Sequence, residues 1–285
     1  MWRALLIFFT ALFASAQQSG DYSVEKLLGG FQYASAVAWH QERSGENFLL
    51  IADLPGGKIT RVDSKGPSVF TEGVHASGLA QDSDGRIYIC DPHKRQVTRT
   101  DKKGRAEVLA ESFEGRKFNG PDGIVVSKSG VWFTDPAFAS ADKQKELSFY
   151  GVYHLNSKGE LSLTARMAGR PNGIALSPDS KVLYVVDSDS RTVLAWDLDK
   201  SGAASNQRVL ARIQQGVPTG MLAGPDGKLY VAASGVEIFT PQGQEAGRIE
   251  MSEKPAGLTF GDSDQGTLYI AARTSVYRVK FRAVR

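Results

Sequence analysis

The stretch RPNGIALSPDSKVLYVVDSDSRTVLAWDLD, residues 170 to 199, sets short apolar runs between polar punctuation: a polar head, a first run, a turn, a second run ending in aspartate, then a third. The same order recurs in SAVAWHQERSGENFLLIAD, SGLAQDSDGRIYICD, DGIVVSKSGVWFTD, TGMLAGPDGKLYVAA and AGLTFGDSDQGTLYIAA. The heads are Ser35, Ser77, Asp122, Asn172, Thr219 and Ala256, spaced 37 to 50 residues apart. That period, filled with short strands, belongs to a propeller blade rather than to a helical repeat. Outer strands are signalled by KITRVD, QVTRTD, GVYHLN, TVLAWDLD and SVYRVK, rich in β-branched and aromatic residues and bounded by DG, KG and SG turns. No long 3.6-residue apolar period follows residue 16, so helices are expected to be absent or short.

The pattern predicts an all-β fold, a six-bladed β-propeller of four-stranded blades forming one domain over residues 17–285. YSVEKLLGGF, residues 22 to 31, precedes the first repeat and reads as a strand that completes the last blade, closing the ring and covering its edges.

Composition changes the picture at the N-terminus. Arg3, the apolar run Ala4 to Phe13 and the small residues of Ala14-Ser15-Ala16 fit a signal peptide over residues 1–16, cut before Gln17. The run is too short to span a bilayer as a mature helix. The expected location is therefore secreted or periplasmic, with no membrane anchor after cleavage. Cys90, the one cysteine, lies in the apolar run RIYICD and reads as a core residue, so no disulfide supports the fold. The formal charge is +3, and loss of Arg3 leaves 3 − 1 = +2. Its densest basic stretch, DKKGR at 101 to 105, reads as a solvated turn, and no basic face interleaved with aromatics suggests nucleic acid. The expected partner is a small-molecule substrate or ligand.

In a propeller the inner strand of each blade lines a central channel, so the six heads should converge at one mouth. The second strands end at Asp53, Asp91, Asp135 and Asp187, with Ala233 and Ala272 in the other two places. Such an oxygen-rich mouth suits Ca²⁺ or another hard divalent cation better than zinc. The alternative reading is structural: strand-end aspartates accept backbone N–H bonds in turns, and Asp122 and Asn172 are open between ligand and turn former.

FNGPDGIVVSKSGVWFTDPAF (118 to 138), ELSFYGVYHLNSKGEL (146 to 161), RPNGIALSPDSKVLYVVDSD (170 to 189) and EKPAGLTFGDSDQGTLYIAARTSVYRV (253 to 279) resemble the gluconolactonase, senescence-marker-protein and luciferin-regenerating-enzyme family. The resemblance implies a six-bladed propeller, a divalent cation, commonly calcium, at the channel mouth, and hydrolysis of lactones or related esters. It implies a ligand column of Glu, Asn or Asp, Asn, and Asp. Asp122 and Asn172 match that column as metal ligands, whereas Ser35 and Thr219 stand where carboxylates are expected, and Gly257 where relatives often have Asn. Losing two carboxylates weakens calcium binding, which depends on ligand charge.

On this reading the chain is an exported lactonase-like hydrolase with an altered metal site. A cation on Asp122 and Asn172 polarises the carbonyl, and water attacks with help from a carboxylate, Asp122 or Asp187, or from His93. Ser35, Asp135, Thr219 and Arg273 are candidate substrate contacts, Arg273 through its planar fork; Asp135, Asp187 and Asp189 could supply the missing charge, and His75 is a weaker candidate. PAFASADKQKELSF, residues 136 to 149, is a candidate lid. The rival is a non-catalytic propeller binding a small molecule or protein at the same mouth. P-loop, serine-elbow and HExxH patterns are absent.

Overall fold

Five repeats fold as antiparallel four-stranded sheets in the computed structural model, which describes residues 17–18, 21–41, 45, 47–100, 105–138 and 145–282, and the sixth sheet has five strands with Gln17–Gln18 at its edge. Blade one runs Ala34–Gln41, Asn47–Asp53, Lys58–Asp63 and Gly66–Glu72 from channel to rim. The inner strands of blades two to six are Gly78–Gln81, Ile124–Ser127, Pro171–Leu176, Met221–Ala223 and Pro255–Gly261. Among the described residues there is no α-helix. The predicted signal segment, residues 1–16, lies outside them.

Blade six takes its outer strand from the other end of the chain. Tyr22–Gly29 pairs antiparallel with Ser275–Phe281, from Tyr22 opposite Phe281 to Gly29 opposite Ser275, with a bulge between Lys26 and Leu28. The ring is therefore closed by the strand expected there. A ribbon of Ser112–Phe113 against Arg116–Lys117, between blades two and three, is too short for its alternation to be read in advance.

Six apolar clusters make the core, one between each pair of neighbouring blades. Between blades one and two, for example, Leu50 and Ile59 meet Leu79 and Ile89. Both faces of every blade are thus covered, which is why the second strands read as nearly unbroken apolar runs such as NFLLIAD, VLYVVD and TLYIAA. Cys90 is fully buried in one such layer, and burial pushes its thiol well up, as do Asp122, Asp135 and Asp91, so it stays protonated and inert. Packing between blades leaves the axis unfilled, and the axis is where the site lies.

Candidate functional site

All six heads line one axial cavity of about 900 Å³. The residue after five of them is glycine, and the reason is close approach: the head of the next blade presses its carbonyl onto that Cα. A Cβ on Gly173 would sit 2.5 Å from the Thr219 carbonyl oxygen, and one on Gly257 2.8 Å from that of Ser35. The Gly173 N–H donates to the Thr219 carbonyl at 2.8 Å, and that of Gly220 to Ala256 at 2.9 Å.

Side-chain hydroxyls complete these seams. Ser35 Oγ donates to the Ala76 carbonyl (2.7 Å), Ser77 Oγ to Pro121 (3.0 Å) and Thr219 Oγ1 to Pro255 (3.2 Å), each reaching the residue before the next blade's head. Thr134 Oγ1 donates to the carbonyl of the head Asn172 itself (2.8 Å), bridging the third seam, and Ser188 Oγ to that of Pro218 (2.8 Å), bridging the fourth. The ring closes through the main chain, where the Ala34 N–H donates to the Arg273 carbonyl at 2.6 Å. Ser35 and Thr219, expected to touch substrate, thus line the cavity with their protons already directed at main-chain carbonyls.

Strand-end carboxylates hold the loops that enter the inner strands. Asp53 accepts the N–H groups of Gln32 (3.1 Å) and Tyr33 (3.0 Å), and Asp91 those of Lys94 (2.9 Å) and His75 (3.4 Å). Asp135 is fully buried and accepts from Asn119 (2.8 Å) and Gly120 (2.6 Å), fixing the loop that carries Asp122. Burial raises its carboxyl to about 6, against the opposing pull of those two amides and of Arg95. Where Ala233 and Ala272 leave the position empty, Glu237 accepts from Gln214 and Gln215 (3.1 and 2.9 Å), and Glu253 from Thr274 (3.0 Å).

Two of the expected site residues are engaged with the main chain in this arrangement. Asp135 accepts an amide on each oxygen and is not among the residues that border the cavity. Asp187 is buried, accepts the Asp189 and Ser190 N–H groups (3.0 and 3.1 Å) on one oxygen and packs on Gly169, the bonding of a turn former. Asp189 forms a bidentate pair with Arg170, its closest contact 2.6 Å. His93 is exposed, stacked on His75 with centroids 4.2 Å apart, and borders the cavity no more than His75 does. His75 Nδ1 is 2.7 Å from the Leu54 carbonyl oxygen.

Asp122 and Asn172 remain, heading adjacent inner strands. Asp122 has no cationic partner among the described residues, and burial in the channel raises its carboxyl to about 6, opposed only by the Ser77 hydroxyl. Asn172 donates from Nδ2 to Ser188 Oγ (3.3 Å), the hydroxyl that in turn donates to Pro218. That relay fixes the amide and leaves one Nδ2 hydrogen and Oδ1 without a partner among the described residues. Arg273 is exposed, has a left-handed backbone (φ 46°) and makes no ion pair among the described residues. Its charge is felt at Tyr33, whose hydroxyl is raised by burial and by Asp122 and lowered by Arg273.

The donors present do not fit a calcium site. At the head end one carboxylate, Asp122, and one amide oxygen, that of Asn172, face the cavity, the hydroxyls of Ser35 and Thr219 donate to carbonyls, and among the described residues no three His, Cys, Asp or Glu side chains gather.

Tyr33, Phe138 and Val217 also border the cavity, on irregular loops where no periodicity announces them. Phe138 opens the expected lid, whose residues 139–144 lie outside the described ones.

Residues 34–274 match the family model described as the SMP-30/gluconolactonase/LRE-like region. The chain belongs to that family. Within the SMP-30/gluconolactonase/LRE-like family, a gluconolactonase of Zymomonas mobilis is 30% identical over 291 residues, covering 90% of this chain and 81% of its own. Regucalcin of Xenopus laevis is 35% identical over 260 residues, covering 85% and 83%. Among solved structures of the family, a gluconolactonase from Xanthomonas campestris superposes with a TM-score of 0.84 at 27% identity over 92% of this chain and 91% of that one.

Proposed function

We propose that the protein is an exported lactonase-type hydrolase that opens a small-molecule lactone or ester at the head end of the channel without a bound metal. The observation that carries this reading is the carboxylate of Asp122, with no cationic partner among the described residues, heading the strand next to that of the fixed amide of Asn172, inside a cavity and within a family that includes gluconolactonases. Asp122 accepts a proton from water as the water oxygen attacks the carbonyl carbon, and the free Nδ2 hydrogen of Asn172 donates to the carbonyl oxygen as charge grows there. The tetrahedral adduct then collapses, the ring C–O bond breaks, and the departing oxygen takes the proton back from Asp122. The product is a hydroxy acid.

The purified protein, treated with chelator, is expected to open members of a panel of lactones, and Asp122→Asn to lower kcat about 10²- to 10⁴-fold, the range for loss of a general base. Turnover that Asp122→Asn leaves intact, or that chelator removes, contradicts the mechanism. A second reading, ligand binding without chemistry, is favoured by Ser35 and Thr219, whose hydroxyls serve the seams. On that reading no lactone is opened. Export rests on residues 1–16, and sequencing the N-terminus of protein recovered outside the cytoplasm should begin at Gln17.

A further inference from the structure

Resting on the hydrolase reading, we infer that the substrate is a lactone bearing an alkyl or aryl substituent, rather than a polyhydroxylated sugar lactone. Eight large apolar side chains are exposed among the described residues, and three of them, Tyr33, Phe138 and Val217 at 37%, 41% and 47%, border this one cavity. They come from the loops of blades one, three and five, so they surround the opening instead of clustering on one side. Exposed apolar groups gathered around a cavity mark a binding surface. Inward from this rim the walls continue with Val37, Leu79, Ile174, Met221 and Leu258.

The polar side chains at the same end offer a sugar little. The hydroxyls of Ser35, Ser77, Ser188 and Thr219 all donate to main-chain carbonyls. Arg170 is held by Asp189, with its guanidinium carbon 4.9 Å from the centre of the Phe138 ring. Among the described residues, Asp122, Asn172 and the Tyr33 hydroxyl are what a ligand can engage at this end, enough to fix one ester group; the other polar lining, Gln41, Gln81, Asp82 and Gln265, lies beyond the far ends of the inner strands or at them. A sugar lactone would carry several further hydroxyls out of water with too few partners. The cavity volume of about 900 Å³ holds a chain of several carbons together with water on the inner-strand edges.

The test is a series of γ-lactones lengthened from methyl to octyl, set against δ-gluconolactone, in wild type and Val217→Ser. In parallel the non-hydrolysable alkyl lactams are titrated by following the fluorescence of Trp39, which lies on the cavity wall. The expected result is a rise in kcat/KM and in lactam affinity of about two- to fourfold per methylene, with a shallower slope in Val217→Ser. Gluconolactone opened as fast as the octyl lactone, with no dependence on chain length, overturns the inference and leaves the hydrolase reading standing. If no lactone is opened the hydrolase reading fails, and the lactam titration still decides: affinity that grows with chain length supports an apolar ligand, and affinity independent of it rules one out.

Discussion

Ser35 and Ala76 stand one blade apart, 41 residues along the chain, joined by a 2.7 Å hydrogen bond from the Ser35 hydroxyl to the Ala76 carbonyl oxygen. That bond occupies the head position where relatives are expected to place a calcium-binding glutamate. The same substitution of a hydroxyl for a carboxylate at Thr219 yields the corresponding bond to Pro255. Both hydroxyls are therefore committed to the seams, at positions where the family resemblance leads one to expect carboxylates.

Calcium should accordingly leave the melting temperature of the wild type unchanged, because a ligand at about 100 times its Kd would add about 2.7 kcal/mol to the native state. The double variant Ser35→Glu, Thr219→Asp puts the charges back beside Asp122 and Asn172. It should melt lower than wild type without calcium, having lost two seam bonds worth about 1 kcal/mol each and gained like charges, and recover when calcium is added. Differential scanning calorimetry with calcium and with chelator checks both halves. A calcium-dependent rise in the wild type alone would show that the site needs only Asp122 and Asn172.

Asp135 illustrates which part of the site was legible in the sequence. The six-fold column of heads could be read because a propeller repeats its chemistry at a fixed interval, whereas Asp122 and Asn172 stayed open between ligand and turn former until the family resemblance singled them out. The role of Asp135 depended on which way a strand-end carboxylate turns, toward the axis or toward the preceding loop, and periodicity contains no such information. The hydroxyl seams were hidden for a related reason: their partners are main-chain carbonyls one repeat away, with no residue type to signal them. Tyr33, Phe138 and Val217 were missed because irregular loops carry no period. Asp135→Ala should leave the buried N–H groups of Asn119 and Gly120 unpaired and cost about 2–5 kcal/mol. Urea unfolding measures it, and a loss below about 1 kcal/mol would mean that the loop carrying Asp122 holds its shape unaided.

Glu253 supplies the pH dependence. Burial opposes its ionisation, yet the hydroxyls of Ser275 and Tyr277 and the amide and hydroxyl of Thr274 outweigh burial and hold the carboxyl at about 2, below its ordinary 4.5. The bonds are 2.5 Å from Ser275, 2.9 Å from Tyr277 and 3.0 Å from the Thr274 amide, and Lys26 on the closing strand lies 3.5 Å away. A depressed folded-state pKa gives stability that is present in full above the unfolded value and is lost as pH falls toward 2. Glu253→Gln should therefore be about 1–3 kcal/mol less stable at pH 7, with the gap to wild type narrowing as pH falls below about 4.5 and closed near pH 2. Parallel melting curves with a constant gap from pH 7 to pH 3 would assign the loss to packing instead.

Arg273 separates stability from recognition. Its backbone sits at φ 46°, a conformation that costs a side-chain-bearing residue about 1 kcal/mol and glycine almost nothing, and among the described residues its guanidinium has no ion-pair partner. Arg273→Gly should thus melt no lower than wild type, although it removes a charge near Tyr33 at the mouth. The consequence should depend on the charge of the ligand: KM should rise severalfold for a lactone carrying a carboxylate and stay level for an uncharged one of the same size, with the difference shrinking as salt is added. Equal effects on both ligands would mean that Arg273 shapes the opening rather than attracting anions, and no effect on either would place it outside recognition altogether.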